Sequence, residues 1–330
     1  MALESLIRTK GLRKHPLFIL FITILATIGS IIFSYLLFPE YTSVLAVAFV
    51  TIGLVPIIYR IVVVEEEEES QIEKSFTTFF ARHFNIIQIY IWVFVGVILT
   101  FAFVYMVAPG DTKLVIFSEQ IQAFCVISGE CQSNVPLSIS GSASAFAFDA
   151  CKNTGVSTLG SCSFFIFENN IGVTLLTIIL SLIYGAGAIF IVVWNASILG
   201  VFFGEMILMA NHGKGLGLLQ GLLIGHGPPE LLAYIFAALS GAILSAVVAK
   251  NKLAPHEFEK VCEDVAFLIL LAICSVAYGA VLEAAGILGM DAFYVLGGFI
   301  YALIILLAVI FYGRRPSPEQ IKQRLTLRKK

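Results

Sequence analysis

A histidine and a glutamate stand four residues apart inside a run of apolar sequence, at His226 and Glu230. The segment 225–229 also contains two glycines and two prolines, which interrupt any helix that passes through it. Imidazole and carboxylate side chains can relay protons or bind metal ions such as zinc. A charged side chain at the centre of a bilayer costs about 2.5–3.5 kcal/mol, so we expect this pair to have a function or a polar partner.

The same two residues also suit a purely structural role. On a helix, residues four apart share a face, and the prolines favour a helix start that places Glu230 in the first turn, where the helix dipole favours negative charge. His226 would then hydrogen-bond across helices, and Glu230 would accept from a helix cap or from Asn195. We favour this structural lock and expect no metal ion, because two ligands are too few and no His-Glu-x-x-His motif occurs.

Three further polar residues, Glu205, Glu283 and Asn195, interrupt apolar stretches elsewhere in the chain. We predict an intramembrane polar cluster of His226, Glu230, Glu205, Glu283 and Asn195, with at least three of the four ionisable residues in one place. The alternative for Glu205 and Glu283 is a position near a membrane surface, where each carboxylate reaches water. For Asn195 the simplest role is an interhelical hydrogen bond.

Composition indicates a membrane protein. The 330 residues are 59% hydrophobic and 13% charged, with a mean hydropathy of +0.96, whereas a soluble domain is about 45–50% apolar and about 25% charged. The apolar runs are continuous and about 20 residues long, as in membrane helices and unlike barrel strands. The net charge of −2 suggests no nucleic-acid partner. No nucleophile, phosphate-loop or dinucleotide motif occurs, so we assign no catalytic residue, expect no cofactor and do not favour an enzyme.

The predicted fold is an all-α polytopic membrane helix bundle with about seven full spans and a broken or re-entrant segment near 195–227. Whether that segment crosses the membrane is left open. Basic residues flank the first and last spans, which predicts a cell-membrane protein with both termini cytoplasmic. The predicted divisions are an N-terminal transmembrane hairpin at 1–64, a cytoplasmic acidic linker at 65–84, a transmembrane core at 85–108 and 171–312, an extracytoplasmic loop at 109–170 and a basic tail at 313–330.

The predicted outer loop carries four cysteines, at Cys125, Cys131, Cys151 and Cys162. Four cysteines on an exterior face predict two disulfides, with three pairings open. A metal site is disfavoured because no Cys-x-x-Cys pair occurs. Besides membrane lipid, we expect protein partners at this loop or at the acidic linker, and a homo-oligomer stays open.

Four short motifs follow one another along the chain: Phe167-Glu168-Asn169-Asn170 before a span, Asn195 with Gly200, the stretch His226-Gly227-Pro228-Pro229-Glu230-Leu231, and Glu283-Ala284 late in an alanine-bearing span. In type and order these motifs resemble those of the stage II sporulation protein M family, and the resemblance covers roughly 75–290. The positions that match the family pattern are Asn169, Asn170, Asn195, Gly200, His226, Gly227, Glu230 and Glu283.

The resemblance implies an integral membrane protein that anchors or scaffolds partners. The namesake of the family works with stage II sporulation proteins D and P, which are cell-wall hydrolases. We therefore predict a non-enzymatic scaffold for envelope-associated partners. Two alternatives stay open: a transporter or channel with a polar site at the His226–Glu230 helix break, and an intramembrane metal-dependent enzyme.

Overall fold

The computed structural model describes residues 17–69, 76–128, 151, 158–185, 187–210, 225–250 and 255–312. These residues form ten α-helices and one 3-10 turn (Pro39–Tyr41), and no strand occurs among them. The predicted all-α fold is thus confirmed. The helices are α1 (Leu17–Leu37), α2 (Thr42–Glu69), α3 (Phe76–Val107), α4 (Gly110–Ile116), α5 (Ser118–Ser128), α6 (Leu159–Tyr184), α7 (Ile189–Ala210), α8 (Gly227–Lys250), α9 (Pro255–Ile287) and α10 (Asp291–Tyr312).

Eight of the helices described are long and apolar enough to cross a membrane, namely all except α4 and α5. Their apolar stretches run from 18 to 27 residues, and about 20 residues suffice to span the hydrocarbon of a bilayer. The polytopic membrane bundle that was predicted from composition is therefore confirmed. The helix α2 continues through the glutamate run that ends at Glu69, so part of the predicted acidic linker is an extension of a span.

Small polar side chains of α1 face the interior of the bundle, whereas several of its large apolar side chains face outward. On α1, Thr23, Thr27 and Ser34 are fully buried, whereas Phe21 and Leu25 are exposed. Such an arrangement suits a lipid surrounding, where apolar side chains gain nothing by leaving the surface and close contact between helices depends on small or polar residues.

Glycines allow α3 and α7 to approach closely. A Cβ at Gly200 would lie 2.6 Å from the Cβ of Phe101, and one at Gly204 would lie 2.9 Å from the ring of Tyr105. The spacing of Gly200 and Gly204 is the small-x-x-x-small pattern of membrane helix pairs. Gly200 meets Phe101, and four residues later on both helices Gly204 meets Tyr105, so α3 and α7 run parallel.

The helices α6 and α8 also run parallel. The Asn170 side chain meets Glu230, and further along the same pair of helices Ser181 packs against Gly241. In contrast, α9 and α10 form an antiparallel hairpin around the turn at Gly289, which has a positive φ of 74°.

These directions place the ends of α1, α3, α7 and α9 at one membrane face, together with the starts of α2, α6, α8 and α10. The short helices α4 and α5 lie at the same face, as does Cys162 of α6 with its partner Cys151, and we name this face the cysteine side. Since the number of candidate spans is even, residues 17 and 312 lie at the opposite face.

The break expected at Asn195 lies instead between α6 and α7. Gly185 ends α6 with a φ of 66°, a left-handed conformation that favours glycine, and α7 then runs unbroken through Asn195. The Asn195 amide donates to the Ile191 carbonyl oxygen at 2.9 Å, so its polar group is satisfied within its own helix. A full helix α7 supplies the crossing for which a broken segment was predicted, and the remaining part of that prediction, at 211–224, lies outside the described residues.

The helix α6 begins earlier than the sequence suggested. Its N-cap is Thr158, whose side chain accepts from the Ser161 backbone N–H at 3.3 Å. Asn170 therefore lies well inside α6, although the sequence placed its motif before a span. The polar residues at 159–170 made this first half of the helix look like a loop.

One disulfide joins Cys151 to Cys162, which confirms a disulfide in the segment for which disulfides were predicted. Both cysteines are buried and pack with Ile166 against Ala280 and Ala284 of α9. The bridge therefore fastens the start of α6 to the chain that precedes it, directly beside the end of α9. Of the other two candidates, one lies on α5 and the other outside the described residues, so their pairing stays a prediction.

Replacement of Cys162 by serine is expected to lower the free energy of unfolding by roughly 2–3 kcal/mol, because the bridge closes a loop of sequence separation 11. Tryptophan fluorescence during thermal unfolding in detergent measures the effect. Replacement of the free thiol Cys274 is the matched control and should leave the midpoint unchanged. A Cys162 variant as stable as the parent would contradict a stabilising bridge.

Candidate functional site

The polar site begins at the turn that precedes α8. The chain turns at Gly225 and His226, and α8 starts at Gly227 with Pro228 next to it. Proline is favoured in the first turn of a helix because its missing N–H would have no partner there. The Glu230 N–H donates to the His226 carbonyl oxygen at 3.3 Å, which places the Glu230 carboxylate in the first turn of α8.

Three titratable side chains meet at this turn. One ligand atom each of His226, Glu230 and Glu283 lies within 4.8 Å of the other two. All three side chains are half-buried. Glu283 comes from α9, and no spacing in the sequence relates it to His226 and Glu230.

Close packing between α8 and α9 makes this meeting possible. A Cβ at Gly279 would lie 2.9 Å from the Glu230 Cγ and 3.5 Å from the Pro229 Cβ. The absence of a side chain at Gly279 therefore leaves the space that the Glu230 side chain occupies, one turn of α9 before Glu283.

Asn170 of α6 is the hydrogen-bond partner of Glu230. Its Nδ2 donates to Glu230 Oε1 at 2.8 Å, and its Oδ1 accepts from the Tyr234 hydroxyl at 3.4 Å and from Asn169 Nδ2 at 3.2 Å. Hydrogen bonds to a carboxylate are stronger than neutral ones, so this contact ties α6 to α8. The sequence had suggested a cap or Asn195 as this donor, and both suggestions were wrong.

Tyr294 of α10 is the partner of His226. The hydroxyl lies 2.7 Å from His226 Nδ1, and the two ring centroids are 5.9 Å apart. The Tyr294 ring also lies against Gly286, near the end of α9. Through these contacts the site joins α6, α8, α9 and α10.

Two of the predicted cluster members lie elsewhere. Glu205 accepts from the Tyr105 hydroxyl at 2.8 Å, which joins α7 to α3. The Asn195 amide donates a hydrogen bond within α7, to the Ile191 carbonyl oxygen. The contact between α7 and α3 is made instead by Gly200. Glu205 and Asn195 therefore belong to the other half of the bundle, because α7 packs on α3 and not on α9.

The site lies about one helical turn from the ends of α8 and α9 on the cysteine side, and twelve residues into α6. Glu230 is in the first turn of α8, and Glu283 precedes the last residue of α9, Ile287, by four residues, or about 6 Å along the axis. The disulfide at Cys162 packs against Ala284, the neighbour of Glu283. Glu283 therefore lies next to the disulfide-linked start of α6.

Two tyrosines of the site were missed by the sequence interpretation. Tyr234 and Tyr294 are two of eleven tyrosines, and neither stands in a motif. Tyr234 could have been predicted, because it lies four residues after Glu230 on the same helix face. No sequence signal distinguishes Tyr294, since its role depends on how α10 packs against the start of α8.

The arrangement can hold a positive charge. Two carboxylates and one imidazole offer one nitrogen and up to four oxygen atoms as ligands. Such a set can bind a proton or a metal ion, and its hydrogen bonds to Asn170 and Tyr294 fix the orientation of two of the three groups.

The model of the family described as stage II sporulation protein M matches residues 92–286. The match extends from α3 to the end of α9 and includes Asn170, His226, Glu230 and Glu283. No significant similarity to a curated protein or to a solved structure was found. Since the match covers more than half of the chain, this membrane protein belongs to the stage II sporulation protein M family.

Proposed function

We propose that this protein is a non-enzymatic membrane scaffold that holds envelope-associated protein partners in place. Membership of the stage II sporulation protein M family supports a role as a membrane anchor. The observation that carries the proposal is the way in which the polar side chains of the site are used. Asn170 binds Glu230, and His226 binds Tyr294, so these bonds tie together three helices, α6, α8 and α10.

Hydrogen bonds between helices in the interior of the bundle favour one fixed arrangement of those helices. Transporters instead alternate between arrangements by moving one group of helices against another around a site near the midplane. Here the hydrogen bonds join α6 to α8 and the start of α8 to α10, near one face. A rigid bundle with its linked helix ends at one surface suits a platform on which other proteins assemble.

The cysteine side is proposed to face the exterior, with both termini in the cytoplasm. The basic residues before α1 and after α10 support this orientation by the positive-inside rule, and the disulfide supports an oxidising surrounding for the cysteines. Protein partners would then bind the outer segment that begins with α4 or the acidic linker on the opposite face.

Site-specific photo-crosslinking in intact cells tests the scaffold. A crosslinker at Leu114 of α4, which is 63% exposed on the cysteine side, should give an adduct with one protein species. The same species should co-purify with the unmodified chain at a fixed ratio. The matched control is Leu296 of α10, which is 62% exposed on an apolar span and should contact lipid only. If neither α4 nor the acidic linker gives a reproducible protein adduct, the scaffold proposal fails.

Cation transport is the second candidate, and the convergence of His226, Glu230 and Glu283 favours it. Ion flux in proteoliposomes that is lost in Glu230→Gln would support transport over the scaffold. Glu205→Gln is the matched control, because Glu205 is also a hydrogen-bonded carboxylate within a span but lies outside the site. If the protein is a scaffold, we expect the parent, Glu230→Gln and Glu205→Gln to give no more ion flux than protein-free liposomes.

A further inference from the structure

Three side chains near the cysteine side have the geometry of a metal site. His226, Glu230 and Glu283 each direct one ligand atom to a common region, with all three atoms within 4.8 Å of one another. With bonds of about 2.1 Å, the ligand atoms of a tetrahedral ion lie about 3.4 Å apart. Side-chain rotations that move these atoms up to about 1.4 Å closer together would complete such a site.

The third ligand changes the argument against a metal ion. The sequence offered only His226 and Glu230, and two ligands are too few for a stable site. The structure adds Glu283 from α9. Three protein ligands and one open position form the usual arrangement of zinc sites that keep a water molecule.

The charge of the site points to a cation. Lysine and arginine occur on the four helices α6, α8, α9 and α10 only as Lys250 and Lys260, which lie at the ends of α8 and α9 away from the site. Two neighbouring carboxylates repel one another, and no lysine or arginine of these four helices lies beside them to offset their charge. Glu283 also lies near the C-terminus of α9, where the helix dipole disfavours a negative charge. A divalent ion would neutralise both carboxylates.

Hydrogen bonds around the three ligands resemble the outer shell of a metal site. Tyr294 lies 2.7 Å from His226 Nδ1, and the tautomer that donates from Nδ1 leaves Nε2 as the ligand atom. Asn170 donates to Glu230 Oε1, and the Glu230 carboxyl also lies within hydrogen-bond distance of the Glu283 carboxyl. Bonds of this kind orient metal ligands and set the metal affinity.

We propose that His226, Glu230 and Glu283 bind one divalent transition-metal ion of the zinc class. One nitrogen ligand distinguishes this set from the all-oxygen sites that calcium and magnesium prefer. The ion would link the start of α8 to the end of α9, next to the disulfide that fastens the start of α6. Because the site lies about one helical turn below the cysteine side, the ion would enter from that face.

Zinc binding by the purified full-length protein in detergent tests the proposal. The protein is stripped with a chelator, exposed to Zn²⁺, dialysed and measured for bound metal. The parent chain should retain one zinc ion per chain, and Zn²⁺ should raise its thermal unfolding midpoint. Co²⁺ in place of zinc should give the visible absorption of a tetrahedral site. Glu283→Gln should weaken zinc binding by at least about 100-fold, and Tyr294→Phe, which removes a hydrogen bond to a ligand, by about 10-fold.

Glu205→Gln is the matched control and should bind zinc as the parent does, because Glu205 bonds to Tyr105 outside the site. A variant that elutes as a single species with an unfolding midpoint near that of the metal-free parent is folded, so its loss of zinc reports the ligand. Equal zinc in the parent and in Glu283→Gln would show adventitious metal only and overturn the proposal. A parent chain that retains no zinc would also overturn the proposal. A proton would then neutralise the carboxylates.

The metal proposal is independent of the scaffold. The zinc measurement uses the purified chain without partners, whereas the scaffold is tested by crosslinking in cells. A chain that binds zinc but yields no protein adduct would lose the scaffold role and keep the metal site, and the reverse result would remove the metal site alone.

Discussion

Replacement of Gly241 by leucine is expected to lower the free energy of unfolding by about 3 kcal/mol, because it forces α8 away from α6. A Cβ at Gly241 would lie 2.5 Å from the Ile178 carbonyl oxygen and 2.5 Å from the Ser181 Cβ. Backbone cannot rotate aside as a side chain can, so the two helices must separate. The unfolding midpoint of the purified protein, followed by tryptophan fluorescence, measures the loss.

Gly172→Leu is the matched control for this change. Gly172 lies on α6, and a Cβ there would meet nothing within 4 Å. Leucine has a higher helix propensity than glycine by about 0.8 kcal/mol, so this variant should be as stable as the parent or slightly more stable. Equal losses at both positions would show that the α6–α8 contact is not close.

Replacement of Asn170 by leucine is expected to lower the free energy of unfolding by about 3 kcal/mol, since it removes the donor to a half-buried carboxylate. Leucine has the same number of side-chain heavy atoms as asparagine and branches at the same carbon, so we expect the lost hydrogen bond to dominate the effect. The Tyr234 hydroxyl would lose its acceptor in the same step. The unfolding midpoint measures the stability.

Thr174→Val is the matched control for Asn170→Leu. Thr174 is also buried on α6, one turn later, and its hydroxyl donates only to the Asn170 carbonyl oxygen within the same helix. We expect a change of at most about 1 kcal/mol, because no other helix loses a partner. A Thr174 effect as large as that of Asn170 would mean that the bond to Glu230 contributes little to stability.

The zinc experiment and the Asn170 experiment inform one another. If zinc binds Glu230, the stability lost in Asn170→Leu should shrink when zinc is present, because the ion then neutralises the carboxylate that lost its donor. If only a proton occupies the site, zinc should not change the stability of either protein.

The sequence predicted the parts of the fold that depend on neighbouring residues. Apolar runs of about 20 residues require helices in a bilayer, because every backbone polar group must bond within its own segment. The turn at Gly225 and the helix start at Pro228 likewise follow from local backbone preferences. These local preferences were sufficient to predict that His226 and Glu230 lie together.

Helix boundaries were less predictable where polar residues lie inside a helix. Asn195 suggested an interruption, yet its amide is satisfied by the Ile191 carbonyl oxygen of the preceding turn and α7 continues. The actual break is at Gly185, where the backbone adopts a positive φ. In the same way the polar start of α6 suggested a loop, although Thr158 caps a helix there.

By itself, then, the sequence determined that this chain is an all-α membrane protein with a polar helix break at His226. Only the tertiary structure decided which side chains complete that break. Glu283 and Tyr294 reach it from α9 and α10, while Glu205 points to Tyr105 in the other half of the bundle. The reason is physical: hydropathy and backbone preference act along the chain, whereas the close contacts at Gly279 and Gly241 set which helices become neighbours.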